Sequence, residues 1–263
     1  MKAIVVHKYG APEVLKFEQY PDPVAGTGEV LVRVAATSIN PFDTMRRSGA
    51  AKEVAPIKFP GIVGVDLSGT VVALGPEVEG FSIGDQVFGM ADQTYAELCA
   101  VKAVSLGKIP EGLDVVDAAV LPLVTTTGNQ LVTLGTGIQA GQTVLITGAV
   151  GNVGSSAVFT AKALGAVVIA GVLKKQLEAA SSLGADQVLA TDDDAMASLP
   201  PLDAVADAVG GDTAEKLLAK VKKGGVFASV LGAPQNAKDF SNINIVMVYS
   251  RRVGQLLVSE VLS

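Results

Sequence analysis

The feature that most narrows the possible folds lies between residues 143 and 170. Thr143-Val144-Leu145-Ile146-Thr147 is a short apolar run that predicts a buried strand. The glycine-rich stretch Gly148-Ala149-Val150-Gly151-Asn152-Val153-Gly154 follows at once. Residues 152–164 then carry helical character that stops at Gly165, and Val167-Val168-Ile169-Ala170 reads as a second strand. Parallel strands need a crossover of about a dozen residues or more, which a helix supplies. The rest of the second half repeats this alternation. Strands are expected at 187–189, 204–206, 226–231 and 243–248, with helices at about 174–183 and 213–221. Such a series predicts an α/β fold with a doubly wound parallel sheet.

The first part reads differently. Ala3-Ile4-Val5-Val6 is a short apolar run, and Glu29-Val30-Leu31-Val32-Arg33-Val34 alternates with period two. Residues 67–75 and 86–89 are similar, and glycines and prolines interrupt the region at short intervals. This predicts a compact β-barrel-like domain. The division is placed as residues 1–113 and 114–263, with 114–133 as a linking helix.

Residues 118–161 hold no charged side chain. Glycines, Pro122 and many polar residues interrupt them, so no run approaches the roughly 18 apolar residues of a membrane span. They are expected to be deeply buried or to face a ligand. The 263 residues are 49% hydrophobic, which excludes a disordered chain. A net charge of −6 argues against nucleic acid or an anionic membrane as partner. One cysteine and one histidine cannot build a zinc site or a disulfide framework, so no metal is expected. A lone Cys99 and no visible targeting segment suit a cytoplasmic protein. Cys99 is expected to pack in the core, and His7 to lie on a strand surface.

The chemistry concentrates at the glycine turn. Glycines there let the backbone bend sharply and approach a pyrophosphate seated on the helix N-terminus, which points to a dinucleotide. The strict spacing would have glycine at Ala149, so the argument rests on the flanking strand and helix. An acid about 20 residues further on ordinarily holds the ribose of NAD. Residues 155–177 contain no Asp or Glu, and Lys174 and Lys175 open the next helix, where cations oppose the macrodipole. Either they are solvated lysines, or they clamp the 2′-phosphate of NADP. Asp192-Asp193-Asp194 reads as a solvated loop.

Several stretches together resemble a family. They are Ser38-Ile39-Asn40-Pro41-Phe42-Asp43, Gly64-Val65-Asp66-Leu67-Ser68-Gly69-Thr70-Val71, Gly84-Asp85-Gln86-Val87-Phe88-Gly89, Leu121-Pro122 through Thr127, the 148–154 turn, and Asp207-Ala208-Val209-Gly210-Gly211. The chain resembles the zinc-free quinone oxidoreductase (zeta-crystallin-like) branch of the medium-chain dehydrogenase/reductase superfamily. The resemblance implies a GroES-like barrel domain and a Rossmann domain, with NADPH as cofactor. It implies zinc-independent hydride transfer to a small-molecule quinone or α,β-unsaturated carbonyl. Asn40 and Thr127 match positions near the nicotinamide, and Asp43 would orient Asn40 or serve as a polar group. Their plainer readings are helix caps for Asn40 and Asp43 and a helix-interior threonine for Thr127. Cofactor contacts are implied for Gly148, Ala149, Gly151, Asn152, Val153, Gly154, Gly171, Lys174, Lys175, Val209, Gly210, Leu231 and Gly232.

Met45 stands where several relatives carry a tyrosine, and a thioether donates no proton, so water is the expected proton source. After Tyr249 the resemblance fades, and the C-terminal elements that return to the barrel domain are expected to be missing. Both points motivate an alternative, a non-catalytic NADP-binding member. A third reading, an NAD-dependent alcohol dehydrogenase, requires Lys174 and Lys175 to be mere surface lysines. The family also implies a homodimer formed along the edge strand at 243–248.

Overall fold

The computed structural model describes residues 1–254. The chain forms two compact units, Met1–Leu123 together with the segment from Arg252, and Val124–Arg251. The expected lack of a returning C-terminal strand falls mostly on residues 255–263, outside the described residues.

The first unit contains two antiparallel sheets. Strands β1 (Lys2–Val6), β2 (Lys16–Gln19) and β4 (Gly61–Ile62) form the smaller one, in the order β2-β1-β4. Strands β3 (Glu29–Ala36), β5 (Asp66–Leu74), β6 (Gln86–Met90), β7 (Leu98–Lys102) and β8 (Leu106–Lys108) form the larger, in the order β7-β3-β5-β6-β8. Alternation in β3 sends Val30 and Val32 inward, where they pack with Leu67, Val71, Val87, Cys99 and Val101. Cys99 is indeed a core residue, its thiol pushed up to about 12 by burial. His7 is exposed and lies 2.6 Å from Glu18.

Helix α1 (Pro41–Ser48) has its signals in sequence. Asn40 is the N-cap, Pro41 occupies the first turn, and Gly49 closes the helix at φ +87°. The expected linking helix at 114–133 is instead two helices, α2 (Val115–Ala118) and α3 (Pro122–Gln130), followed by a π-helical turn, Leu131–Thr136. Asp114 caps the first by accepting the Val116 N–H. Pro122 lacks an N–H and opens the second, which is why the helix cannot run through.

The second unit is built on a six-stranded parallel sheet. Its strands are β9 (Thr143–Thr147), β10 (Val167–Val172), β11 (Gln187–Ala190), β12 (Leu202–Asp207), β13 (Val221–Ser229) and β14 (Asn244–Met247). Their order is β11-β10-β9-β12-β13-β14, so the winding reverses between β9 and β12. Fully buried Val144, Leu145, Ile146 and Val205 fill the central strands, and residues from both faces enter two separate apolar clusters. This explains why these strands read as continuous apolar runs. Helix α4 (Asn152–Ala163) and helix α6 (Gly211–Leu218) connect strands, as expected. The helix expected at 174–183 is shorter, a 3₁₀ turn at Lys174–Gln176 and then α5 (Leu177–Ala180). Ser181 and Ser182 end it by turning their hydroxyls back onto the Glu178 and Ala179 carbonyls. Strand β13 starts earlier than its sequence suggests. Gly224 and Gly225 lie in a register shift within the strand and do not precede it. Among the described residues no helix is long and apolar enough to cross a membrane.

Candidate functional site

In the second unit, the glycine turn leaves β9 at the point where the winding reverses, the usual place for a ligand crevice in such sheets. Gly148 adopts φ +62°, a left-handed conformation that glycine enters without strain. The turn closes through a 2.8 Å bond from the Gly151 N–H to the Gly148 carbonyl. The Ala149 N–H donates to the Gly171 carbonyl at 3.2 Å, tying the turn to β10. At Gly154 a Cβ would lie 2.7 Å from the Gly148 carbonyl carbon and 2.9 Å from the Ala149 Cα. Only glycine lets α4 sit this close beneath the turn.

Gly151 caps α4 without a side-chain hydrogen bond. A helix end of this kind presents backbone N–H groups and the positive end of the dipole. A pyrophosphate fits those donors, and the bare backbone of Gly148 and Gly151 leaves room for its approach. Ala149 is fully buried, so a methyl group at the missing glycine position points inward. Val209 flanks the turn and Leu231 lies beside Gly210, 49% and 61% exposed. A Cβ on Gly148 would lie 3.0 Å from the Val209 side chain, and one on Gly210 3.3 Å from that of Leu231. Gly210 and Gly232 both have positive φ, +73° and +119°. The structure thus brings the glycine turn, Gly171, Val209 and Gly210, and Leu231 together at one end of the sheet.

The two lysines have different surroundings. The Lys174 ammonium pairs with Asp193 at 3.0 Å, and its backbone N–H donates to Asp192 at 2.7 Å. The Asp193 hydrogen bond raises the Lys174 pKa, and the same bond lowers that of Asp193. Asp192-Asp193-Asp194 is therefore more than a solvated loop. It approaches the end of β10 from the neighbouring strand β11, a long-range juxtaposition the sequence does not announce. Lys175 is exposed and has no ion pair among the described residues. Thr127, in α3, is buried, and its hydroxyl lies 2.6 Å from that of Ser250.

The first unit holds Asn40 and Asp43. Both are buried, and the Asn40 N–H donates to Asp43 Oδ2 at 2.8 Å. Asp43 therefore closes the helix start from within the first turn; the helix begins at Pro41 and not near Thr44, so Asp43 is not its N-cap. The Asn40 side-chain amide donates to Ser38 Oγ at 2.8 Å and to Asp66 Oδ2 at 2.9 Å. Asp66 also accepts from Ser38 Oγ at 2.5 Å and from the Leu123 N–H at 2.9 Å. Burial raises its pKa to about 6 against these bonds. Burial likewise pushes the Asp43 carboxyl up, opposed by the Asn40 N–H. Ser38 and Asp66 stood in the quoted motifs without a role, and here they are the partners that fix the Asn40 amide. Met45 is 45% exposed on α1. No group of three or more His, Cys, Asp or Glu among the described residues is arranged to hold a metal ion.

Comparison with known proteins agrees with this architecture. Residues 26–123 match the alcohol dehydrogenase GroES-like domain, and residues 152–260 match the family described as zinc-binding dehydrogenase. The chain is 32% identical to the chloroplastic NADPH-dependent alkenal/one oxidoreductase of Arabidopsis thaliana, over 89% of this chain and 63% of that protein. It thus spans less than two thirds of that relative's length. Its structure resembles the quinone oxidoreductase of Coxiella burnetii with a TM-score of 0.85 and 30% identity, covering 98% of this chain and 86% of the other. It also resembles a mycobacterial protein solved in complex with NADPH, with a TM-score of 0.83 and 28% identity over 100% and 87% of the two chains. The chain belongs to the zinc-free quinone oxidoreductase branch of the medium-chain dehydrogenase/reductase superfamily.

Proposed function

We propose that this protein is an NADPH-dependent, zinc-independent reductase of quinones or α,β-unsaturated carbonyl compounds. The observation that carries the reading is the glycine turn at the sheet's reversal point, closed on itself and set before a helix with no side-chain cap. The relatives' names supply the class of acceptor. Gly148, Gly151, Asn152, Val153 and Gly154 would receive the pyrophosphate, with Ala149 and Gly171 holding the turn in shape. Val209, Gly210, Leu231 and Gly232 would line the cofactor. Lys175 is the cation best placed to meet a 2′-phosphate, because Lys174 already pairs with Asp193.

NADPH, when bound, supplies the hydride. The chain's part is to hold, orient and exclude water. Asn40 is a proposed active-site residue whose amide is locked by Ser38 and Asp66, with Asp43 fixing the backbone beneath it. Thr127 is proposed to act from α3, its hydroxyl oriented by Ser250. Met45 has no proton to give, so the proton that completes the reduction comes from another donor, and a water admitted at the acceptor's end of the site is the one proposed. We further propose a cytoplasmic protein that pairs into a homodimer along β14, which ends the six-stranded sheet.

The test is loss of reduced-nicotinamide absorbance with a panel of quinones and enones, run with NADPH and with NADH. Turnover that prefers NADPH is expected. Binding of NADPH without turnover on any acceptor would instead support the non-catalytic alternative. Light scattering of the purified chain tests the dimer.

A further inference from the structure

Asp207 ends β12 beside β9, at the reversal point of the sheet, and is fully buried. Its Oδ1 accepts from the Thr147 hydroxyl at 2.8 Å, from the Val209 N–H at 3.2 Å and from the Gly210 N–H at 3.1 Å. Its Oδ2 accepts from the Ser229 hydroxyl at 2.8 Å. Each hydroxyl passes the hold onward. Thr147 Oγ1 accepts the Ala208 N–H at 2.9 Å, and Ser229 Oγ accepts the Leu231 N–H at 3.1 Å. Thr147 and Ser229 are themselves fully buried, at the ends of β9 and β13. One carboxylate therefore ties three strand ends and the loops after β12 and β13 to a single point.

Joining three strands does not require this. Ladder hydrogen bonds already pair β9 with β12 and β12 with β13. A buried carboxylate without a cation is costly, and an apolar group would close the seam at lower cost. No ion pair is made by Asp207 among the described residues. What a carboxylate adds is acceptor capacity at one point, with no donor to satisfy. Here that capacity draws four N–H groups inward, directly or through a hydroxyl. Val209 and Leu231 keep their side chains outward beside Gly148 and Gly210.

We propose that Asp207 is a positioning residue for the cofactor, holding Val209 directly and Leu231 through the Ser229 hydroxyl as a fixed apolar wall beside Gly148 and Gly210, with Thr147 fixing the adjoining Ala208. The inference rests on the NADPH reading above and adds to it the group that sets the wall. It also specifies an asymmetry. An amide oxygen in place of Oδ1 can still accept from Thr147 and the Val209–Gly210 N–H groups. The amide NH₂ in place of Oδ2 donates to Ser229 Oγ, which already accepts from Leu231, so the Ser229 proton loses its acceptor. Asp207→Asn thus disturbs the Leu231 branch selectively, as Ser229→Ala does by a different route.

The experiment titrates NADPH into the wild-type chain, Asp207→Asn, Ser229→Ala and the double variant, following nicotinamide emission. The chain has no tryptophan to interfere. Each single variant is expected to bind NADPH roughly tenfold more weakly, with altered emission, and the double variant no more weakly than the worse single. In turnover, KM for NADPH should rise while kcat stays within about twofold, the mark of an interaction equal in ground and transition states. Ser229→Ala removes one oxygen and serves where Asp207→Asn does not fold. Folded variants with wild-type affinity and emission, or fully additive losses, overturn the inference while leaving the NADPH reading intact. A wild-type chain that does not bind NADPH overturns the reading and the inference with it.

Discussion

Replacing Gly154 by alanine tests the cofactor turn most directly. A Cβ there would stand 2.7 Å from the Gly148 carbonyl carbon and 2.9 Å from the Ala149 Cα. Carbon atoms pack at about 3.5–4.0 Å, so helix α4 and the turn must separate by about 1 Å. Both neighbours are backbone atoms, and no rotamer change relieves the overlap. Overpacking of this kind costs about 3 kcal/mol, at the upper end of its usual range. Removing a helical glycine returns about 1 kcal/mol, so a net loss of about 2 kcal/mol is expected. At about 2–4 °C per kcal/mol for a chain of this size, Tm should fall by about 4–8 °C. The same displacement moves the donors off the pyrophosphate, and a 1 Å misplacement can cost about 100-fold. Gly151→Ala is the control for stability. Its φ is −78°, and a Cβ there meets only the Gly148 carbonyl oxygen, at 3.1 Å. A shift of a few tenths of an ångström relieves that contact, so Tm should barely change. Melting curves with and without NADPH read both effects. If Gly154→Ala melts with the wild type and binds NADPH equally well, the close packing under the turn is not what shapes it.

Three further outcomes are expected. Lys175→Ala should lower kcat/KM for NADPH about tenfold and leave NADH nearly unchanged, while Asp193→Asn frees Lys174 and should raise the NADPH:NADH ratio a fewfold; steady-state kinetics with both cofactors decides, and an unchanged ratio in both variants would remove the lysines from the 2′-phosphate site. Asp66 has a folded-state pKa raised from 3.8 to about 6, so the folded chain binds its proton more tightly, and this group's contribution to stability falls as pH rises through that window. At about 1.36 kcal/mol per unit the span is about 3 kcal/mol, and Asp66→Asn should flatten that part of the stability–pH curve measured by denaturant unfolding. Asp92 pairs with both Arg46 and Arg252 at 2.9 Å, and the Arg46 side chain is only 8% exposed. Asp92→Asn should therefore cost about 1–2 kcal/mol by the same assay, through a buried guanidinium left without its counter-charge.

The Asp66 network shows how local and distant information divide in this chain. Asn40 followed by Pro41 and Asp43 announces a capped helix, and the helix is there. That the Asn40 amide ends on Asp66 depends on β5 passing beside the helix start, which no local pattern encodes. Two roles for Asn40, cap and active-site group, were legible; the structure places it at the N-cap and ties its amide to Ser38 and Asp66, and its part in the reaction stays a proposal.

The sequence by itself determined what is local and periodic. Apolar runs and glycine stops placed α4 and the strands of the parallel sheet, though not β2, β4, β7 and β8, because strand and helix periods differ and glycine enters the left-handed turn most readily. It also located the glycine turn, since strand, turn and helix are contiguous. Tertiary structure decided what is assembled from distant segments. The pairing of Lys174 with Asp193 joins the ends of two neighbouring strands, and it redistributes the charge that composition alone assigned equally to two lysines. The glycines within β13 were settled by its pairing with β12, where the register shifts, whereas the break at Pro122 and the short α5 have local causes that the periodic pattern hid. The gathering of Thr147, Asp207 and Ser229 followed from the strand order, because residues far apart in sequence meet only when β9, β12 and β13 lie side by side.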